Sequence, residues 1–112
     1  MKYRTRQFAL RVIRLVESLS KGRTENVFGK QLLRSGTSVG ANYRAACRAK
    51  STADFVYKMG IVEEETDESL YWMELLTETK ILDPKKLEPL MKEANELLAI
   101  TVASIKTAKK TK

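Results

Sequence analysis

The sequence predicts an all-α protein, an antiparallel up-down four-helix bundle that associates with copies of itself. Four segments repeat apolar residues at spacings of three and four, as one face of a helix does, and no segment alternates like a strand. Short turns join the segments, so consecutive helices are expected to lie antiparallel. The helical segment 31–51 keeps Gly36 and Gly40, each of which costs about 1 kcal/mol relative to Ala. Another backbone is therefore expected close to this helix.

The first predicted helix runs from about Tyr3 to Leu19, and the second from residues 24–27 to about Ala49. The apolar face of the first consists of Phe8, Val12, Leu15, Val16 and Leu19. The inner stripe of the second consists of Leu32, Gly36, Val39, Tyr43, Ala46 and Cys47. This stripe makes Cys47, the one cysteine of the chain, a small core residue rather than a nucleophile.

The third predicted helix begins at Ser51 and the fourth at Pro84. Ser51 and Asp54 have the spacing of a capping box, and Asp83 is an acidic N-cap before a proline at the first helical position. The third runs to about Thr79, with Phe55, Met59, Val62, Leu70 and Met73 inward. The fourth uses Leu87, Leu90, Met91, Ala94, Leu97, Leu98, Thr101 and Ile105. One bundle domain is expected over residues 1–106, followed by a frayed basic tail over 107–112.

Helices two and three each carry a second side that a bundle core does not require. Helix three is apolar on more than one face, and helix two has small residues and arginines outside its inner stripe. Because aromatic residues are enriched in interface cores, this pattern predicts a contact between subunits. The alternative is that helix three packs against two neighbours in its own subunit. The predicted interface residues are Arg34, Ser38, Ala41, Ala45, Tyr57, Ile61, Glu64, Glu68, Tyr71, Trp72 and Leu75.

Glu64 and Glu68 are the natural partners for the arginines of helix two, within one subunit or between subunits. A guanidinium presents a planar fork that matches a carboxylate, so such pairs would fix the register of the two helices. The alternative is that the arginines are solvated and free to bind a ligand.

The net charge of +7 is unevenly distributed. Residues 1–50 carry twelve Lys and Arg against two acids, whereas residues 51–78 carry one Lys against eight acids. Clustered cations along a ridge are what phosphate contact requires, and no motif for reading base edges is present. The candidate nucleic-acid contacts are Arg4, Arg11, Arg14, Lys21, Arg44, Arg48 and Lys50.

The composition argues against an enzyme. The chain has no histidine, which excludes Ser-His and Cys-His catalysis and histidine-containing di-iron sites. No catalytic residue, metal ligand or cofactor is predicted. One cysteine allows no internal disulfide, and no stretch approaches the roughly 18 apolar residues of a membrane span. A soluble, cytoplasmic protein without membrane contact is expected.

The segments QLLRSGTSVGANYRAACRAKS (31–51) and DFVYKMGIVEEETDESLYWMELL (54–76) resemble the four-helix bundle family encoded in bacterial 23S rRNA intervening sequences, also called the S23 ribosomal protein family. The resemblance extends from Phe8 to about Leu98. It implies an antiparallel four-helix fold in a ring-like homo-oligomer, a pentamer in known examples. A related accessory protein of diversity-generating retroelements is a basic pentamer that binds reverse transcriptase and nucleic acid. The matched signature consists of Arg34, Ser35, Gly36, Ser38, Gly40, Asn42, Glu64 and Tyr71, most of them architectural.

Two functions follow as hypotheses. The first is a non-enzymatic oligomer that binds RNA or DNA with low sequence specificity through a basic surface. The second is an accessory or scaffold module that binds a protein, such as a reverse transcriptase, and has little affinity for nucleic acid. Salt distinguishes them, because phosphate contacts weaken steeply as salt is added.

Overall fold

The protein is a bundle of four α-helices with no strand in the part that the structure describes. A computed structural model describes residues 1–110. The helices are α1 (Lys2–Glu17), α2 (Arg23–Ala46), α3 (Thr52–Glu78) and α4 (Pro84–Lys110). Connections of a few residues set neighbouring helices antiparallel and give a rod 48 × 20 × 19 Å in extent. The predicted all-α class with four helices is confirmed.

The helix starts follow the predicted caps. The Ser51 hydroxyl accepts a hydrogen bond from the Asp54 N–H at 3.0 Å, and the Asp54 carboxylate accepts from the Lys50 N–H at 3.1 Å. At α4 the Asp83 carboxylate accepts from the Lys85 N–H at 2.9 Å. The bonds from the Asp54 and Lys85 N–H groups satisfy donors that a helix start leaves without intrahelical partners.

Two predicted helix ends differ from the observed ones. α2 ends at Ala46, not near Ala49, and Cys47 becomes its exposed C-cap. The prediction of Cys47 as a core residue is therefore wrong. α4 continues through residues 107–110, which are helical where a frayed tail was expected. The last two residues of that predicted tail, 111–112, lie outside the described residues.

The core is continuous along the bundle, and α3 packs between α2 and α4. A buried hydrogen bond of 3.0 Å between the hydroxyls of Ser35 and Ser69 links α2 to α3. α1 packs mainly on α2 and meets α4 less extensively. The fully enclosed side chains include the predicted inner residues Phe8, Val12, Leu32, Val39, Met59, Val62, Met73, Leu87 and Leu97.

Gly36 and Gly40 of α2 let α1 approach closely. A β-carbon added at Gly36 would lie 2.8 Å from Val12 Cγ1, and one at Gly40 would lie 3.4 Å from the Thr5 carbonyl oxygen. The neighbouring backbone predicted for these glycines is thus α1 of the same chain.

Candidate nucleic-acid interface

A groove lies between the first half of α1 and the second half of α2. The helices are antiparallel, so the start of α1 meets the end of α2. Small residues in both helices, among them Ala9, Gly40 and Ala41, leave a concave surface there. The cavity measures about 490 Å³ and is lined by Lys2, Tyr3, Thr5, Arg6, Ala9, Thr37, Gly40, Ala41, Arg44 and Arg48. We call it the α1–α2 groove.

The α1–α2 groove is basic on both walls. Lys2 and Arg6 come from α1, Arg44 comes from the last turn of α2, and Arg48 comes from the turn that follows α2. All four side chains are exposed, and no Asp or Glu lines the groove. Within residues 1–110 none of the four forms an ion pair. A concave surface with one sign of charge attracts anions, phosphates among them.

The sequence identified only half of these cations. Arg44 and Arg48 are predicted contacts, whereas Lys2 and Arg6 on α1 were missed, as was Tyr3. The signal that could have found the pair was their four-residue spacing beside Ala9, which puts them on the α2-facing flank of α1. The spacing alone does not show that this flank of α1 faces α2, because that depends on how α1 packs on the small residues of α2.

Arg4 does not belong to the groove and is already occupied. Its guanidinium donates to both carboxylate oxygens of Glu93, at 3.0 and 2.6 Å, and to Glu96 at 2.9 Å. The hydrogen bonds to Glu93, and then those to Glu96, raise the pKa of Arg4 above its ordinary value. This residue joins α1 to α4, so it leaves the set of available phosphate contacts.

The other predicted contacts lie outside the groove. Arg11 is half-buried, and Arg14, Lys21 and Lys50 are exposed. In the described part of the chain these four residues form no ion pair. They add positive surface, but the structure does not gather them into one site.

Of Arg34, Arg44 and Arg48, the arginines expected to pair with acids of α3, only Arg34 does so within residues 1–110, in a contact that we call the α2–α3 seam. Arg34 donates to Glu65 at 3.1 and 3.2 Å and to Glu68 at 2.5 Å. The expected partner Glu64 is exposed and unpaired within residues 1–110, because it lies one residue before Glu65 on the outer face of α3. Arg44 and Arg48 are therefore not neutralised by this seam.

The seam shifts the pKa values of its members. Hydrogen bonds to Glu65, then to Glu68, raise the pKa of Arg34. The Arg34 bond is the main cause that lowers the pKa of Glu68, and the Trp72 indole N–H, which donates to Glu68 at 3.2 Å, adds to it.

The predicted interface residues divide between the bundle and its outer face. Trp72 is half-buried within the chain, with its ring centroid 5.7 Å from that of Phe28 and 5.1 Å from that of Tyr71. Tyr57 and Tyr71 remain 69% and 52% exposed on α3. Four other predicted interface residues are half-buried, namely Ile61, Leu75, Ser38 and Ala45. Ala41 lines the α1–α2 groove. Packing within one subunit thus accounts for the burial of Trp72, whereas Tyr57 and Tyr71 remain exposed to solvent.

Neither a metal-binding cluster nor a membrane-spanning helix is present in the described residues. Among residues 1–110 no group of histidine, cysteine and acidic side chains is arranged to hold a metal ion. No helix in this part of the chain has the length and apolar character that crossing a membrane requires.

Comparison with known proteins identifies relatives over nearly the whole chain. The family model described as 23S rRNA-intervening sequence protein matches residues 2–103. No curated protein matches the sequence. A crystal structure from Bacteroides thetaiotaomicron, of a protein with unknown function from the S23 ribosomal protein family, is 38% identical. The match covers 94% of this chain and 97% of that one, with a TM-score of 0.88.

Proposed function

The chain belongs to the 23S rRNA-intervening sequence protein family, and we propose that it is a non-enzymatic oligomer that binds RNA or DNA with little sequence specificity. The observation that supports this proposal is the α1–α2 groove, which four exposed cations line and where no acidic side chain of the described residues is found. Phosphate binding of this kind depends on charge and does not distinguish sequences.

The charge distribution of the molecule favours the groove over other surfaces. The acids of the α2–α3 seam pair with Arg34, and Glu93 and Glu96 of α4 pair with Arg4. The remaining exposed acids of α3, such as Glu64 and Asp67, lie away from the groove lining. An anionic polymer would therefore meet attraction at the groove and repulsion at the outer face of α3.

Oligomerisation would multiply this weak contact. The exposed tyrosines of α3 and the unpaired Glu64 between them form the face proposed for self-association, and a ring of five is implied by the family resemblance. Linked sites convert a second binding event into an intramolecular one, so several grooves raise avidity without a new contact.

A second candidate function is supported by the same outer face of α3. Tyr57 and Tyr71 are large, exposed and flanked by acids, which suits a basic protein partner as well as a second copy. In that case the protein is an accessory or scaffold module, of the kind that serves a reverse transcriptase, with little affinity for nucleic acid.

Charge-neutral variants in the groove test the first candidate. We expect Arg44→Gln with Arg48→Gln to weaken binding of a labelled RNA about tenfold or more at low salt, measured by fluorescence anisotropy. Lys86→Gln serves as the matched control, because Lys86 is an exposed cation near the start of α4, outside the groove. Equal losses in the groove variant and the control would overturn the groove as the binding site, and no RNA binding by the native protein would favour the accessory function.

A further inference from the structure

We propose that the α1–α2 groove binds single-stranded nucleic acid in preference to duplex, with Tyr3 stacking on a base. The inference rests on the proposed function and adds the form of nucleic acid that the site accepts. It is carried by three features of the same groove, namely its shape, the position of its cations and its one aromatic side chain.

Tyr3 is an unusual residue for an exposed site on a basic helix. It is the most exposed large hydrophobic side chain within residues 1–110, at 73%, and it forms no ring contact with another aromatic there. It lies between cations on α1, with Lys2 before it and Arg6 one turn later. The core does not require it, so its ring face is available to a ligand.

Four cations line the same groove as that ring. Lys2 and Arg6 stand on the α1 wall, and Arg44 and Arg48 stand on the α2 wall. A phosphate backbone lying in the groove would meet positive charge on both sides, while a base turned toward α1 would meet Tyr3. Aromatic stacking beside a positive groove is the general arrangement by which proteins hold single strands without sequence preference.

We expect a duplex to bind the groove less tightly than a single strand does. Its bases stack on each other, so their faces are not accessible to Tyr3, and only its phosphates could contact the groove. The cavity of about 490 Å³ is of the size of a small-ligand site, which suits a short stretch of one strand. The floor of Ala9, Gly40 and Ala41 allows that stretch to approach the helices closely.

The test compares a single-stranded RNA with a hairpin duplex of equal phosphate number, using native protein and four variants. In anisotropy titrations we expect the native protein to bind the single strand several-fold more tightly. Tyr3→Leu should weaken single-strand binding about fivefold or more and leave duplex binding unchanged, because one base–aromatic stack is lost. Tyr3→Phe should retain native affinity, since the ring is kept.

Two further variants act as controls. Leu10→Ala removes an exposed apolar side chain of α1 outside the groove and should change neither affinity. Arg44→Gln should weaken both, because it removes a phosphate contact. Equal native affinity for the two RNAs, or an equal effect of Tyr3→Leu on both, would overturn the single-strand preference and leave the proposed function standing. Absence of binding to either RNA would overturn both.

Discussion

Two arginines of α1, two positions apart, are in opposite environments. Arg4 is held by Glu93 and Glu96 of α4, whereas Arg6 lines the groove and has no acidic partner among residues 1–110. A helix turns by about 100° per residue, so two residues separate these side chains by more than half a turn. The sequence shows that both residues are cations. The packing of α1 determines which of them pairs with acids and which can contact a ligand.

Glutamine substitutions should separate the two roles. Arg6→Gln should lower RNA affinity several-fold and reduce the slope of log affinity against log salt by about 1, because one phosphate contact is lost. Arg4→Gln should leave RNA affinity near native but increase hydrogen exchange in α1, since its link to α4 is broken. Weaker RNA binding by Arg4→Gln than by Arg6→Gln would contradict this assignment.

Glu68 should contribute a pH-dependent part of the stability. Its pKa is lowered in the fold, mainly by Arg34, so the folded state favours the ionised form. This contribution is fully present above the unfolded pKa, near 4.5, and is lost as pH falls through the lower folded value. Because the pair is partly exposed, the effect is small.

Urea unfolding of Glu68→Gln at several pH values measures that contribution. The variant should be less stable than the native protein at pH 7, and the difference should shrink as pH falls below about 4.5. A difference that stays constant down to pH 3 would show that the Arg34 pair does not account for it.

At the scale of helices, glycine has two different roles in this chain. At Gly36 an added methyl group would lie 2.8 and 2.9 Å from the two γ-carbons of Val12, which is fully buried. At Gly60 on α3 an added methyl group would have no atom within 4 Å. Replacing glycine with alanine should therefore lower the stability of the protein at Gly36 and raise it at Gly60.

Gly36→Ala should destabilise the protein by about 1–2 kcal/mol, because overpacking against stiff Val12 exceeds the gain in helix propensity. Gly60→Ala should stabilise it by up to about 1 kcal/mol. Denaturant unfolding of each variant would measure both changes in the free energy of unfolding. The Gly36→Ala loss should be smaller in a Val12→Ala background, and additive effects in that double mutant would contradict the contact.

Much of the helical organisation was predictable, because apolar spacing and caps are local signals. The Ser51 cap and the inner residues of α4, such as Leu87 and Leu97, were predicted and are confirmed. The end of α2 was not, since no glycine or proline marks it and Cys47 continues the apolar spacing. Periodicity does not specify how helices pack against each other. The sequence therefore did not predict that Arg34 pairs with Glu65 or that Lys2 and Arg6 line the α1–α2 groove.

For the whole molecule, the outer face of α3, with the exposed Tyr57 and Tyr71, is the surface that we propose for assembly. We expect light scattering to give an oligomeric mass, a pentamer by the family resemblance. Introducing charge with Tyr57→Glu and Tyr71→Glu should reduce that mass to one subunit, because it adds like charges around Glu64 on an apolar contact. Tyr3→Glu, a matched change of an exposed tyrosine on α1, should leave the mass unchanged. A native monomer would contradict the self-association of this face.

Light scattering on a sizing column, with and without an rRNA fragment and at low and moderate salt, would show whether a basic oligomer binds RNA through phosphate contacts. We predict an oligomer that forms an RNA complex at low salt, and a complex that dissociates as salt rises, because counterion release drives binding. An oligomer that forms no RNA complex at low salt would contradict RNA binding through phosphate contacts.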